Sequence, residues 1–160
     1  MKAEYVNIFI TSAVSVFQKE LNIHLSRKDL QKKEAPVPRL SISIIIGITG
    51  ALSGQVVYSM DESFAFKVAQ AMLPNKLPAD IKKMENSAVS ELANIITGQA
   101  TIALAGEYNR INLTPPAVFI TQDLRIDFLH MPTIALSLIS EIGELEINIA
   151  LLENDEVRNV

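Results

Sequence analysis

Glu91 and Asn94 stand three residues apart in the stretch SELANIITGQA, Ser90 to Ala100. Between them they could steer a water molecule. A carboxamide takes no proton near neutral pH, so Asn94 is no general base. It can accept from a water through its carbonyl oxygen and donate through its amide, and so hold a nucleophilic water in one orientation. A glutamine does this in the GTPase form of phosphoryl transfer, where positioning and charge stabilisation supply most of the catalysis. Glu91 would then be an anchor. Its carboxylate can take a charge-assisted hydrogen bond from a partner's Lys or Arg, worth about 1.5–3 kcal/mol. The stretch has no phosphate loop and no metal-ligand pattern, so a phosphate and its Mg2+ would belong to the partner.

These two residues sit in a line. Ser87, Glu91, Asn94, Gly98, Thr101 and Ala105 follow one another at alternating steps of four and three, which stacks them along one side of a helix. Lys83 continues the line at its upper end. Ile81, Met84, Ala88, Leu92, Ile95 and Ile102 share a second arc, about 100° round, and are expected to form the helix's core stripe. The line can be read as a solvated face on which Glu and Asn are chance neighbours. Against this, Asn and Gly weaken an exposed helix where Lys or Arg would serve better. A ridge of small residues also suits packing against a strand or a second subunit. Spacing alone does not decide between these readings.

The elements that must hold the line follow from periodicity. Val6, Ile10, Ala13, Phe17 and Leu21 recur at helical spacing, so an amphipathic helix is expected from about Ala3 to Leu21. A short strand near Ile23–Leu25 or Asp29–Gln31 and a connection ended by Pro36 and Pro38 come next. From Leu40 the period changes to two, and GITGALSG turns that strand back into QVVYSM as a hairpin. The glycines of this turn could suggest a phosphate loop, but they are followed by a strand and not by Lys-Ser/Thr and a helix, which favours a hairpin turn. Asp61 is a good N-cap for a helix through Leu73, ended by Pro74. The long helix starts at Pro78, with Asp80 in its first turn and Gly106 as C-cap. Its roughly 27 residues span about 40 Å. AVFITQDL, TIALSLIS and LEINIALL are three further strands, the last two joined across EIGE.

Each half of the chain therefore runs helix, strand, hairpin, with Asp61–Leu73 inserted between them. The expected fold is α+β: two pseudo-repeated halves forming an antiparallel sheet of about six strands, with helices packed on one face. Residues 1–153 make one domain and residues 154–160 a polar tail.

Composition excludes several functions. There is no cysteine, which removes disulfides, thiolate metal sites and cysteine nucleophiles. Neither His24 nor His130 is bracketed by carboxylates at metal-ligand spacing. The net charge of −4 and the absence of Trp give no basic, aromatic-interleaved stripe, so no nucleic acid is expected. The apolar run Leu40–Tyr58 is broken by Ser, Gly and Thr and is too irregular for a membrane span. Glu4 and Asn7 stand where a signal peptide would be apolar, so a cytoplasmic protein is expected.

The motif and layout together resemble the CheC/CheX/FliY chemotaxis phosphatases, and among them the CheX-like members. Their motif is an acidic residue or Ser, then Glu four residues on, Asn three beyond that, and a Pro some twenty-odd residues later. Here it reads Ser87, Glu91, Asn94 and then Pro115 or Pro116, slightly short of the usual spacing. The resemblance implies an enzyme that hydrolyses the aspartyl phosphate of a CheY-like response regulator. Asn94 would position the attacking water, and Glu91 would engage the lysine lining the receiver's phosphorylation site. Ser87, Gly98, Pro115 and Pro116 would be supporting positions. It also implies a homodimer, no cofactor bound by this chain, and Mg2+ carried by the receiver. The alternative is a non-catalytic binding module that docks a receiver or another signalling protein. Glu4 and Asn7 repeat the Glu-x-x-Asn spacing on the first helix, without the preceding Ser or acid.

Overall fold

The computed structural model describes residues 2–33, 40–105, 110–121, 123–128 and 131–154. Helix α1 (Ala3–Val16) runs into one π-helical turn (Phe17–Leu21), which Asn22 ends in the left-handed conformation. Strand β1 (Ser26–Lys33) takes up the second of the two expected positions, and β2 (Ile42–Gly50) and β3 (Leu52–Met60) form the first hairpin. Asp61 caps α2 (Glu62–Met72) by accepting from the Phe64 amide at 2.7 Å. Helix α3 (Pro78–Ala105) has 28 residues. After it come β4 (Ile111–Leu113), β5 (Ala117–Ile120), β6 (Thr133–Ser140) and β7 (Gly143–Glu153). Gly106, expected as the cap of α3, and His130 lie outside the described residues, as do Pro36, Pro38 and 155–160.

The sheet runs β1-β6-β7-β3-β2-β4, with β5 also on β2, and every ladder is antiparallel. This order is a palindrome of the two halves. The hairpins meet back to back at β3 and β7, and each half's lone strand crosses to the other half's hairpin. Seven strands fill six places because Thr114–Pro116 splits the strand after α3. Pro115 and Pro116 have no amide hydrogen to give to a ladder. Thr114 bridges the break: its amide donates to the Gly47 carbonyl at 2.9 Å, and its hydroxyl accepts from the Gly47 amide at 2.8 Å. The short β4, Ile111–Leu113, was not expected.

Alternation decides which face is dry. Ile42, Ile44, Ile46 and Ile48 of β2 are all buried and meet Val56 and Tyr58, Leu136 and Leu138, and Ile147 and Ile149 beneath the helices. On the opposite face the connection before β6 lays Ile126, Phe128 and Met131 over Val57, Ala150 and Ile45. The hairpin tip is tied down at both ends. The Ala51 amide donates to the Arg110 carbonyl at 2.7 Å, and Asn154 donates from its backbone to Ala51 and from its side chain to Gly50. Gly54 has φ +147°, and a Cβ there would stand 2.0 Å from the Ala150 carbonyl oxygen. Only glycine lets β3 and β7 close at that point.

Helix α3 corrects one expectation. Its buried residues include Ile81, Ala88, Val89, Leu92, Ala93, Ile96, Thr97, Ala100 and Leu104. Met84 and Ile102, expected in the core stripe, are 39% and 78% exposed, and Ile95 is half-buried. At 100° per residue the true core arc is centred about 100° from the expected one. The reason is size. Ala88, Ala93, Thr97 and Ala100 let the helix backbone settle close on α1, α2 and the sheet, which leaves two large apolar residues outside. The Ser87–Glu91–Asn94–Gly98 line therefore lies opposite the core instead of beside it.

Candidate active site

A buried polar contact adds to the small-residue packing that fixes the rotation of α3. The Thr97 hydroxyl donates to the Ala93 carbonyl at 2.8 Å and lies 2.8 Å from the Tyr58 hydroxyl of β3. With its single proton given to Ala93, Thr97 must accept, so Tyr58 is the donor. Burial pushes the Tyr58 hydroxyl far above its ordinary pKa, so it stays neutral and keeps that proton. The contact pins one side of α3 to the sheet one turn after Asn94. The opposite side has to face outward.

On that outward side Ser87 and Glu91 are exposed and Asn94 is half-buried. Their Cβ atoms are neighbours at about 5–6 Å for steps of three or four. Among the described residues neither the Glu91 carboxylate nor the Asn94 carboxamide has a hydrogen-bond or ion-pair partner. Both retain their full capacity for a visitor. They line one wall of an open cleft of about 370 Å³, with Asn86 and Ser90 beside them and Pro116 and Val118 as the facing wall. The tertiary fold thus brings together Ser87, Glu91, Asn94 and Pro116. It does not bring Pro115, which is exposed off the cleft, or Gly98, which lies one turn past Asn94 with open space above it. Thr101, lower on the same line, is buried and donates to the Gly98 carbonyl at 2.9 Å.

Three cleft residues were missed from the sequence. Asn86 and Ser90 precede Asn94 by eight and four residues, a row parallel to the Ser87–Glu91 line, and that spacing could have exposed them. Val118 carried no such signal. It reaches the cleft only because β5 pairs with β2 at the sheet margin.

A second opening, about 390 Å³, lies around Lys28, Asp29, Ser137 and Glu144. Its central acid is already engaged: Lys28 and Ser137 each bond Glu144 at 2.8 Å. Those bonds, Lys28 first, hold the Glu144 carboxyl below its usual range. In the cleft on α3 the Glu91 and Asn94 side chains are unpaired among the described residues, and so is the buried Asn86 Oδ1 beside them. On α1, Glu4 and Asn7 are both exposed.

The family model for the chemotaxis phosphatase CheX matches residues 42–138, which include α3, both prolines and the cleft. This chain belongs to the CheX family. It is similar to the CheY-P phosphatase CheX of Thermotoga maritima, with 30% identity over 127 residues, 79% of this chain and 81% of that protein. A crystal structure of a chemotaxis protein CheX from Desulfovibrio desulfuricans superposes with a TM-score of 0.81 at 25% identity, covering 94% of this chain and 99% of the other. The CheX of the CheX–CheY–BeF3–Mg2+ complex from Borrelia burgdorferi shares the fold, with TM-score 0.76 and 22% identity over 95% of this chain and all of that one. No helix among the described residues is long and apolar enough to cross a membrane.

Proposed function

We propose that this chain hydrolyses the aspartyl phosphate of a CheY-like response regulator. Asn94 positions the attacking water, and Glu91 anchors the lysine beside the receiver's phosphorylation site. The observation that carries this reading is the free pair itself: one carboxylate and one carboxamide, without internal partners, on the outward face of a helix whose rotation is locked from within. The relative of known activity in Thermotoga maritima acts on CheY-P, and the family match covers the whole cleft. Water attacks the phosphorus, the bond to the receiver's aspartate breaks, and inorganic phosphate leaves. The phosphate and the Mg2+ that neutralises it come with the receiver, so this chain supplies geometry and a docking charge. No cofactor of its own enters. Ser87 and Pro116 border the pair and keep the cleft open at its two walls. We place the protein in the cytoplasm and as a homodimer under the same reading.

The test uses a receiver phosphorylated by a small-molecule phosphodonor. Wild-type protein should accelerate phosphate loss, and Asn94→Ala should cut that acceleration by about a hundredfold or more, as removal of one positioned group does elsewhere. Glu91→Ala should raise the receiver concentration needed for half-maximal rate by about ten- to a hundredfold, the equivalent of one charge-assisted hydrogen bond. Both variants should fold, since neither side chain has an internal partner. Unchanged loss rates in both would refute the site. A wild type that binds the phosphorylated receiver without speeding phosphate loss would leave the non-catalytic docking module as the function.

A further inference from the structure

Two large apolar residues of α3, Met84 and Ile102, lie on its outward side. Taking Glu91 as the origin and 100° per residue, Gly98 falls about 20° to one side and Ile102 and Met84 about 20° to the other. All four lie on the outward line, opposite the core. Ile102 is 78% exposed, the most exposed large apolar residue among the described residues, and Met84 is 39% exposed. Between Ile102 and the Glu91–Asn94 pair stands Gly98, whose missing Cβ would meet nothing within 4 Å. Exposed isoleucine gains nothing for a helix, where its branched side chain loses rotamer freedom. Glycine costs the helix about 1 kcal/mol against alanine. Neither choice serves the isolated fold.

We infer that Ile102 is the apolar anchor of the receiver-docking surface and that Gly98 is the low point over which the receiver reaches it. The inference rests on the phosphatase reading, because the occupant is the same receiver whose phosphorylated centre meets Asn94. Continuity supports that occupant. Ile102 lies eight residues from Asn94, about 12 Å along the same helix side. A globular guest seated over the pair has to cover it. The polar pair then fixes orientation while Ile102 supplies buried apolar contact area.

The decisive experiment measures phosphate loss across a range of receiver concentrations for wild type, Ile102→Ala and Gly98→Leu. Neither substitution touches the core, and both replace a poorer helix former by a better one, so melting temperatures should hold or rise. Ile102→Ala should raise KM by about tenfold with kcat within about twofold, as expected for losing most of one buried apolar side chain. Gly98→Leu should raise KM at least as much, by standing in the approach path. If KM stays within about twofold of wild type in both variants, the docking role is wrong. It is equally overturned if Ile102→Ala splits a dimer in sedimentation while KM is unmoved, because a second copy is then the occupant. Failure of the phosphatase reading is separately visible, as absence of accelerated loss in the wild type. In that case direct titration of the phosphorylated receiver still reads the surface: a weakened Kd in both variants supports it, and an unchanged Kd removes it.

Discussion

Removing the Thr97 hydroxyl should destabilise this protein more than removing the Tyr58 hydroxyl it meets. Tyr58 is 1% exposed and Thr97 wholly buried. Thr97→Val keeps the shape and the branching but leaves the Tyr58 O–H in a dry core with no acceptor among the described residues. A buried polar group stranded in this way costs about 1–3 kcal/mol. Tyr58→Phe strands nothing, since Thr97 still donates to the Ala93 carbonyl at 2.8 Å. Its cost is one net hydrogen bond, about 0.5–1.5 kcal/mol. The double variant removes donor and acceptor together, so it should be more stable than Thr97→Val alone, with a coupling of about 1 kcal/mol or more. Urea unfolding of the four proteins, followed by circular dichroism with constant m-values, measures the cycle. Additive losses, or a larger loss from Tyr58→Phe, would refute the donor assignment.

Asp61→Ala should lower stability by about 1 kcal/mol, because it frees the Phe64 amide that the carboxylate now accepts from; the same unfolding curves report it. Stability should fall as the pH climbs past about 10, where Tyr58 ionises in the unfolded chain but not in the fold, where burial has raised its pKa above the ordinary 10.0. The native state then holds the extra proton, so the sign is a loss with rising pH. Tyr58→Phe should flatten that alkaline limb, and an unchanged slope in the variant would show that other tyrosines carry it.

Period and punctuation made most of the architecture legible. Alternation from Leu40, glycines in the first hairpin and Asp61 before an apolar helix are local signals, and local chemistry answers them. The lone strand of each half was harder. β1 reads SRKDLQKK, a polar edge strand with no dry face of its own, and it is a strand because β6 offers a ladder from Ser26 to Lys33. β4 is three residues held by Ile48–Gly50 and followed by two prolines. Such pairing is decided by a partner far away in sequence, which no window can hold.

The error on α3 had a different cause, and it bears on function. Hydropathy ranks Ile and Met above Ala and Thr, so the larger residues were assigned to the core. Packing ranks by fit as well, and a long helix lying close against two helices and a sheet needs small side chains on its inner face. Once Ala88, Ala93, Thr97 and Ala100 are inside, Met84 and Ile102 have to be outside, where the core gives them nothing. The helix core accordingly carries the fold with modest residues, while its outer face holds an acid, an amide, a glycine and two large apolar groups along one side. A face under selection for solubility alone would hold lysines there. What occupies it is a mixture suited to another protein's surface, and the Glu91–Asn94 pair lies in the middle of that mixture.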